Sequence, residues 1–111
     1  GTHMGSKDVF VNLVGGLKVD DPAADLAVIT AVASGARDKL VSESVVLIGE
    51  VGLGGEVRSV SRLETRVNEA KSLGFKTVIA PAANVKRLKE SPKGIKISGV
   101  SNVGEALHHI F

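Results

Sequence analysis

Residues 45–64 read Val45-Val46-Leu47-Ile48-Gly49-Glu50-Val51-Gly52-Leu53-Gly54-Gly55-Glu56-Val57-Arg58-Ser59-Val60-Ser61-Arg62-Leu63-Glu64. The aliphatic run predicts a buried strand over Val45 to Glu50, because a short apolar run stopped by glycine suits a strand covered on both faces. Glycines then turn the chain, and Glu56 to Val60 returns as a second strand in a tight hairpin that needs a positive φ. Ser61-Arg62-Leu63-Glu64 matches a capping box, in which a serine hydroxyl and a glutamate three residues on satisfy each other's free N–H groups. The helix that follows places Leu63, Val67 and Ala70 on one face, with Leu73 near its edge, and ends at Gly74.

Upstream, Asp8 to Val14 alternates and reads as a strand, Gly15-Gly16 as a turn, and Leu17-Lys18-Val19 as its short partner. Asp21 is a plausible N-cap, and Pro22 suits the first helical position because its missing N–H would be unpaired there. That helix spans Ala23 to Ser34, is stopped by Gly35, and is apolar nearly all round, which predicts cover on several sides. Downstream, Phe75 to Ala80 is a strand broken by Pro81, Val85 to Glu90 a short basic helix, and Ile95 to Val100 a strand. Ser101 caps a last helix reaching Ile110. The interleaving predicts an α+β fold, with mixed sheets and packed helices.

Composition narrows the function classes. The chain has 111 residues, 43% hydrophobic and 23% charged, enough for one core and too apolar for disorder. Gly1-Thr2-His3-Met4-Gly5-Ser6 reads as an expression-tag remnant, which leaves a single domain over 7–111. The absence of cysteine excludes disulfides, thiolate zinc sites and cysteine nucleophiles. No apolar run approaches the ~18 residues that span a bilayer, so no membrane partner is expected. With only Phe10, Phe75 and Phe111 as aromatics, recognition by base stacking is disfavoured. The net charge of +2 conceals an asymmetry: residues 1–56 hold four basic and eight acidic residues, residues 57–111 ten basic and four acidic. Such a split suits an anionic partner or head-to-tail association.

Two nucleotide motifs fail. A Walker loop needs Lys and then Ser or Thr after its last glycine, and here Gly55 is followed by Glu56 and Val57. The dinucleotide spacing fails because Val57 stands where a third glycine is required. His108 and His109 are neighbours about 100° apart on a helix and cannot share one metal.

The run from Gly49 to Arg58 resembles the Lon-protease-like domain at the C-terminus of bacterial RadA-type DNA-repair ATPases. The similarity continues through Arg62-Leu63-Glu64, Glu69-Ala70, Leu73-Gly74-Phe75 and Ile79-Ala80-Pro81-Ala82-Ala83-Asn84. It also takes in Asp8-Val9-Phe10-Val11-Asn12 and Asp21-Pro22-Ala23-Ala24-Asp25-Leu26-Ala27. The resemblance implies a Lon proteolytic-domain-like fold and poses a test of enzyme function. Lon proteases use a Ser–Lys dyad, the amine taking the proton as the serine oxygen attacks the carbonyl. The matching positions here are Ala23 and Glu64, so neither group is present, and no peptidase activity is expected. Two alternatives stay open: a residual serine-dependent peptidase, and a Lon-like module of the magnesium-chelatase or competence type.

The resemblance further implies a six-membered ring supporting an ATPase core, and DNA, single- or double-stranded, as a sequence-independent partner. ATP, magnesium and zinc would belong to other parts of such a protein, which would act in a bacterial cytoplasm or an organelle of bacterial origin. Candidate DNA contacts are Arg58, Arg62, Arg66 and Lys71 around the capped helix, where i, i+4, i+7 spacing puts Arg62, Arg66 and Glu69 on one face. Lys86, Arg87 and Lys89 form a second cluster. Clusters of this kind neutralise phosphates, so their binding weakens with salt.

Overall fold

The computed structural model describes residues 21–37, 44–88, 90 and 92–111. The strands expected at Asp8–Val14 and Leu17–Val19, and Lys89, lie outside them. Asp21 is extended and caps the first helical segment: its Oδ1 accepts the Ala23 N–H at 2.9 Å, with Pro22 in the first turn. One orphan donor of the helix start is thereby satisfied. A 3-10 turn over Pro22–Ala24 leads into α1, Asp25–Arg37. The helix runs through Gly35 rather than stopping there. An interior glycine costs about 1 kcal/mol and terminates a helix only in a left-handed conformation, which Gly35 does not adopt. Leu26, Ala27, Thr30 and Ser34 are buried, but Val32 is 66% exposed, so α1 presents one side to solvent instead of being covered all round.

The strand expected over Val45–Glu50 is two strands in two sheets. β1, Val45–Leu47, joins a parallel sheet with β4, Thr77–Pro81, and β5, Lys96–Val100, in the order β1-β4-β5. β2, Glu50–Val51, pairs antiparallel with β3, Val57–Arg58. The switch happens at Gly49. The Ile48 N–H still bonds the Ile79 carbonyl at 2.8 Å, whereas the Gly49 N–H bonds the Ala23 carbonyl at 2.8 Å and the Gly49 carbonyl accepts from Leu26 at 3.0 Å. A side chain there would put its Cβ 2.9 Å from Val57 Cγ1, so anything larger than glycine at the switch would push against β3. The hairpin forms as expected, closed by Gly52 and Glu56, with Gly55 at φ 83°.

Side-chain alternation feeds two cores. Val46, Val78 and Ala80 meet Leu63, Val67 and Ala70 of α2, Leu63–Ser72. Leu47, Ile79 and Val100 meet Leu26 and Ala27 of α1 and Ala106 of α4, Val103–Ile110. The parallel sheet is therefore covered on both faces, as its aliphatic strands require. The architecture is mixed α and β with packed helices, as expected.

Several boundaries differ from the sequence reading. Pro81 closes β4 opposite Val100 instead of breaking it, because a last-position proline forfeits no ladder donor that the strand needs. Its extended backbone (φ −60°, ψ 132°) starts α3 at once, so the basic helix is Ala82–Lys86 and not Val85–Glu90. Asn102, not Ser101, caps α4, its Oδ1 accepting the Glu105 N–H at 2.9 Å. The Ser61 capping box does not form. Arg62 is the N-cap, in left-handed conformation (φ 56°, ψ 43°) and without a side-chain cap bond, so Ser61 stands one residue too early. The C-terminus behaves as read: the Phe75 N–H bonds the Ala70 carbonyl and the Gly74 N–H bonds that of Lys71, a full Schellman closure.

Candidate functional site

Ala23 and Glu64, the two positions that the resemblance assigns to a Lon dyad, line different depressions. Ala23 is 2% exposed and lines a pocket of about 160 Å³ together with Asp21, Glu50, Ser59, Ser61 and Arg66. Among the described residues no lysine lines this pocket, although Ser59 and Ser61 do. Glu64 is exposed and lines a separate depression of about 320 Å³ with Arg62, Thr65, Asn84, Arg87 and Leu88.

A charge pair crosses the first pocket. Arg66 Nη1 lies 3.0 Å from Asp21 Oδ2, and Arg66 Nε donates to the Ser61 carbonyl at 2.9 Å. The two side chains are 16% and 30% exposed. Asp21 thus serves twice, one oxygen capping α1 and the other clamping α2. The Ala23 N–H is the largest influence and holds the Asp21 carboxyl below its ordinary value; burial opposes it, and the Arg66 guanidinium adds to the lowering. Arg66 is therefore half-buried and occupied by protein groups.

The second depression is shaped by Asn84. Its Oδ1 accepts the Val60 N–H at 2.8 Å and its Nδ2 donates to the Val60 carbonyl at 2.9 Å. Only one orientation of the amide satisfies both groups. With Arg66 on Ser61 and Asn84 on Val60, the segment entering α2 is held from two sides, which sustains the left-handed backbone of Arg62. Arg62 and Arg87 are exposed at the rim and make no ion pair among the described residues.

The face expected to carry Arg62, Arg66 and Glu69 does not exist as such, because Arg62 precedes the helix instead of lying on it. Arg58 is exposed but pairs with Glu56 at 2.9 Å across the hairpin. The Glu56 carboxyl is held low by its own backbone N–H first and by Arg58 second. Lys71 is nine residues from Arg62, about 13 Å along the axis, and its side chain lies against Gly94 rather than near Arg58. Lys86 and Arg87 are exposed at the end of α3.

Sequence reading missed the role of one site residue and one pairing. Asn84 offered no signal beyond its place after Pro81, and the Arg66–Asp21 pair joins residues 45 apart. Among the described residues no three His, Cys, Asp or Glu side chains are placed to hold a metal ion, and no helix is long and apolar enough to cross a membrane.

Comparison with known proteins agrees with this geometry. Over residues 3–111 the chain matches the Lon protease (S16) C-terminal proteolytic domain. It is 50% identical to the DNA repair protein RadA of Bacillus subtilis (strain 168) over 107 residues, 96% of this chain and 23% of that protein. It is 46% identical to the DNA repair protein RadA of Escherichia coli (strain K12) over the same shares of each. Identity to the DNA repair protein RadA of Streptococcus pyogenes serotype M1 is 41% over 111 residues, all of this chain and 24% of that protein. The chain thus spans about a quarter of the length of these relatives. With the Lon-type residue pattern laid on a parallel sheet between helices, the chain belongs to the Lon protease C-terminal proteolytic domain family.

Proposed function

We propose that this chain is a Lon-type domain without peptide hydrolysis that serves a RadA-type DNA repair protein as ring scaffold and DNA contact. The observation that carries it is the pocket beside Ala23. Where the dyad needs a hydroxyl and an amine, there is a buried methyl group and a guanidinium clamped by Asp21, while Glu64 lines another depression. A carboxylate in place of the amine offers no matched base for a serine, and there is no serine at the position to activate. The parent protein's ATP, magnesium and zinc chemistry lies elsewhere in its sequence, as the family resemblance implies, and this domain acts in a bacterial cytoplasm.

DNA contact rests on the relatives' being DNA repair proteins and on Arg62 and Arg87, which are exposed and make no ion pair among the described residues. Arg58, Arg66, Lys71, Lys86 and Lys89 remain in the proposed set, Arg58 and Arg66 weakened by their carboxylate partners. Ring formation rests on the acidic first half facing the basic second half of the next copy, as head-to-tail contacts allow.

The expected results are no turnover of casein or of a fluorogenic peptide, and retardation of duplex and single-stranded DNA that fades as salt rises. Turnover abolished by Glu64→Ala would overturn the non-proteolytic reading. Absence of DNA retardation at low salt would overturn the DNA reading, and a strict monomer by light scattering in both the isolated chain and the full-length protein would overturn the ring.

A further inference from the structure

The ten basic residues of the second half fall into groups with different fates. Arg58 and Arg66 are paired with carboxylates. Arg62 and Arg87 line a depression that also holds Glu64, Lys86 stands beside Arg87 at the end of α3, and Lys89 lies outside the described residues. The remaining group lies at the opposite end of the parallel sheet, where α2 ends and β4 and β5 begin. Segments 71–77 and 92–97 contain Lys71, Lys76, Lys93 and Lys96 and no Asp or Glu.

The fold brings these segments together. The Lys96 N–H donates to the Lys76 carbonyl at 2.9 Å, and Lys96 is the register partner of Thr77. The Lys71 side chain lies over Gly94, its Nζ 3.5 Å from where a Cβ would stand, which places it beside Lys93. All four lysines are exposed, and none makes an ion pair among the described residues. Lys71 has Val67 and Asn68 as its i−4 and i−3 neighbours, so its own helix offers no carboxylate at pairing distance.

Local roles explain only part of this. A lysine in the last turn of α2 complements the helix dipole, which accounts for Lys71. One on the edge strand β5 discourages edge pairing, which accounts for Lys96. Neither accounts for Lys76 or Lys93, nor for a rim free of acid on both segments. Four ammonium groups that make no ion pair among the described residues repel each other on one rim unless an anion lies among them.

We infer that this lysine rim is the domain's main track for a nucleic-acid phosphate backbone, about one strand length, ~16 Å, from the Arg62–Arg87 end. The inference rests on the DNA-contact reading above and groups Lys71, a candidate from the sequence, with Lys76, Lys93 and Lys96, which the charge clusters in the sequence did not single out. Lysines act here as point charges, so the contact is sequence-independent and driven by counterion release.

The test compares the 111-residue chain, its fourfold Lys71/Lys76/Lys93/Lys96→Gln variant, the matching fourfold Lys→Arg variant, and Arg62→Gln/Arg87→Gln. Each is titrated with a fluorescent duplex across a salt series, with thermal unfolding as the fold control. The glutamine variant should lose at least ~10-fold in affinity at low salt, and its salt slope should shrink by roughly 0.9 for each lysine in contact. The arginine variant should keep both, and the Arg62/Arg87 variant should lose less than the glutamine variant. If the unaltered chain fails to bind DNA at low salt, the DNA reading itself falls. If that chain binds and the glutamine variant binds with the same slope, the lysine rim is overturned while the reading stands. If the glutamine variant keeps its DNA affinity and loses only self-association in light scattering, the rim is a subunit contact and the inference is overturned.

Discussion

Replacing Asn84 tests whether one side chain holds the entrance of α2. Asn84 satisfies both polar groups of the Val60 peptide, at 2.8 and 2.9 Å, in a partly buried setting. Each bond contributes about 1 kcal/mol net, so Asn84→Ala should destabilise the domain by about 2 kcal/mol. With an unfolding entropy near 2.1 cal/mol/K per residue, that lowers Tm by roughly 9 °C. Asn84→Asp adds a pH signature. Its carboxylate still accepts the Val60 N–H, but the second oxygen faces the Val60 carbonyl with no proton between them.

That arrangement disfavours the ionised form, so the folded-state pKa of an aspartate here rises above its unfolded value of about 3.9. A raised acid pKa means stability is lost as pH rises through the unfolded value and regained as pH falls below it. The aspartate variant should therefore be the worse of the two at pH 7, by about 1 kcal/mol or more, and should converge on the wild type toward pH 4. Urea unfolding at pH 4 and pH 7, each variant referred to the wild type at the same pH, measures this directly. An alanine variant within 0.5 kcal/mol of wild type, or an Asp–Ala difference that does not change with pH, would refute the bidentate role.

Arg62→Gly should be neutral or stabilising by up to about 1 kcal/mol in thermal unfolding, because glycine accepts φ 56° without strain, while Arg62→Val should cost about 1–2 kcal/mol; both should weaken DNA retardation. Arg66→Ala removes the 3.0 Å pair with Asp21 and the bond to Ser61, an expected loss of about 1–2 kcal/mol after allowance for partial exposure. Because the Asp21 carboxyl is held below its ordinary value, the stability it contributes is present above the usual aspartate range and disappears as pH falls through its folded value. The gap between wild type and Asp21→Asn should accordingly close in acid. Ala23→Ser combined with Glu64→Lys should yield no casein hydrolysis, since the two positions line separate depressions; turnover by the double variant would show that the positions can meet.

The parts of this fold visible in the sequence are those governed by neighbours along the chain. The buried stripe Leu63, Val67, Ala70 follows from helical spacing, and the hairpin follows from the glycines around Leu53. Asp21 and Pro22 mark a helix start by themselves. What the sequence hid depends on distant partners. Val45 to Val51 looks like one strand, and becomes two only because the Gly49 peptide bonds to Ala23 and Leu26. Ser61 and Glu64 have capping-box spacing, yet Asn84 and Arg66 fix Val60 and Ser61 so that the helix begins after Arg62.

The same division applies to the site. That Ala23 carries no hydroxyl and Glu64 no amine is legible without geometry. The fate of the arginines was not. Arg62 and Arg66 are four apart and look equivalent on a helical wheel, but Arg66 turns inward to a carboxylate from another element, while Arg62 is expelled from the helix by a left-handed turn. Two polar links, Asn84 to Val60 and Arg66 to Ser61, over-determine that turn and hold its strain. In a working Lon site this region would need an oxygen and an amine free to meet a substrate. Here Asn84, Arg66 and Asp21 are engaged by protein groups, and the positive charge that makes no ion pair among the described residues stands at the rims, where the proposed DNA contact is assigned.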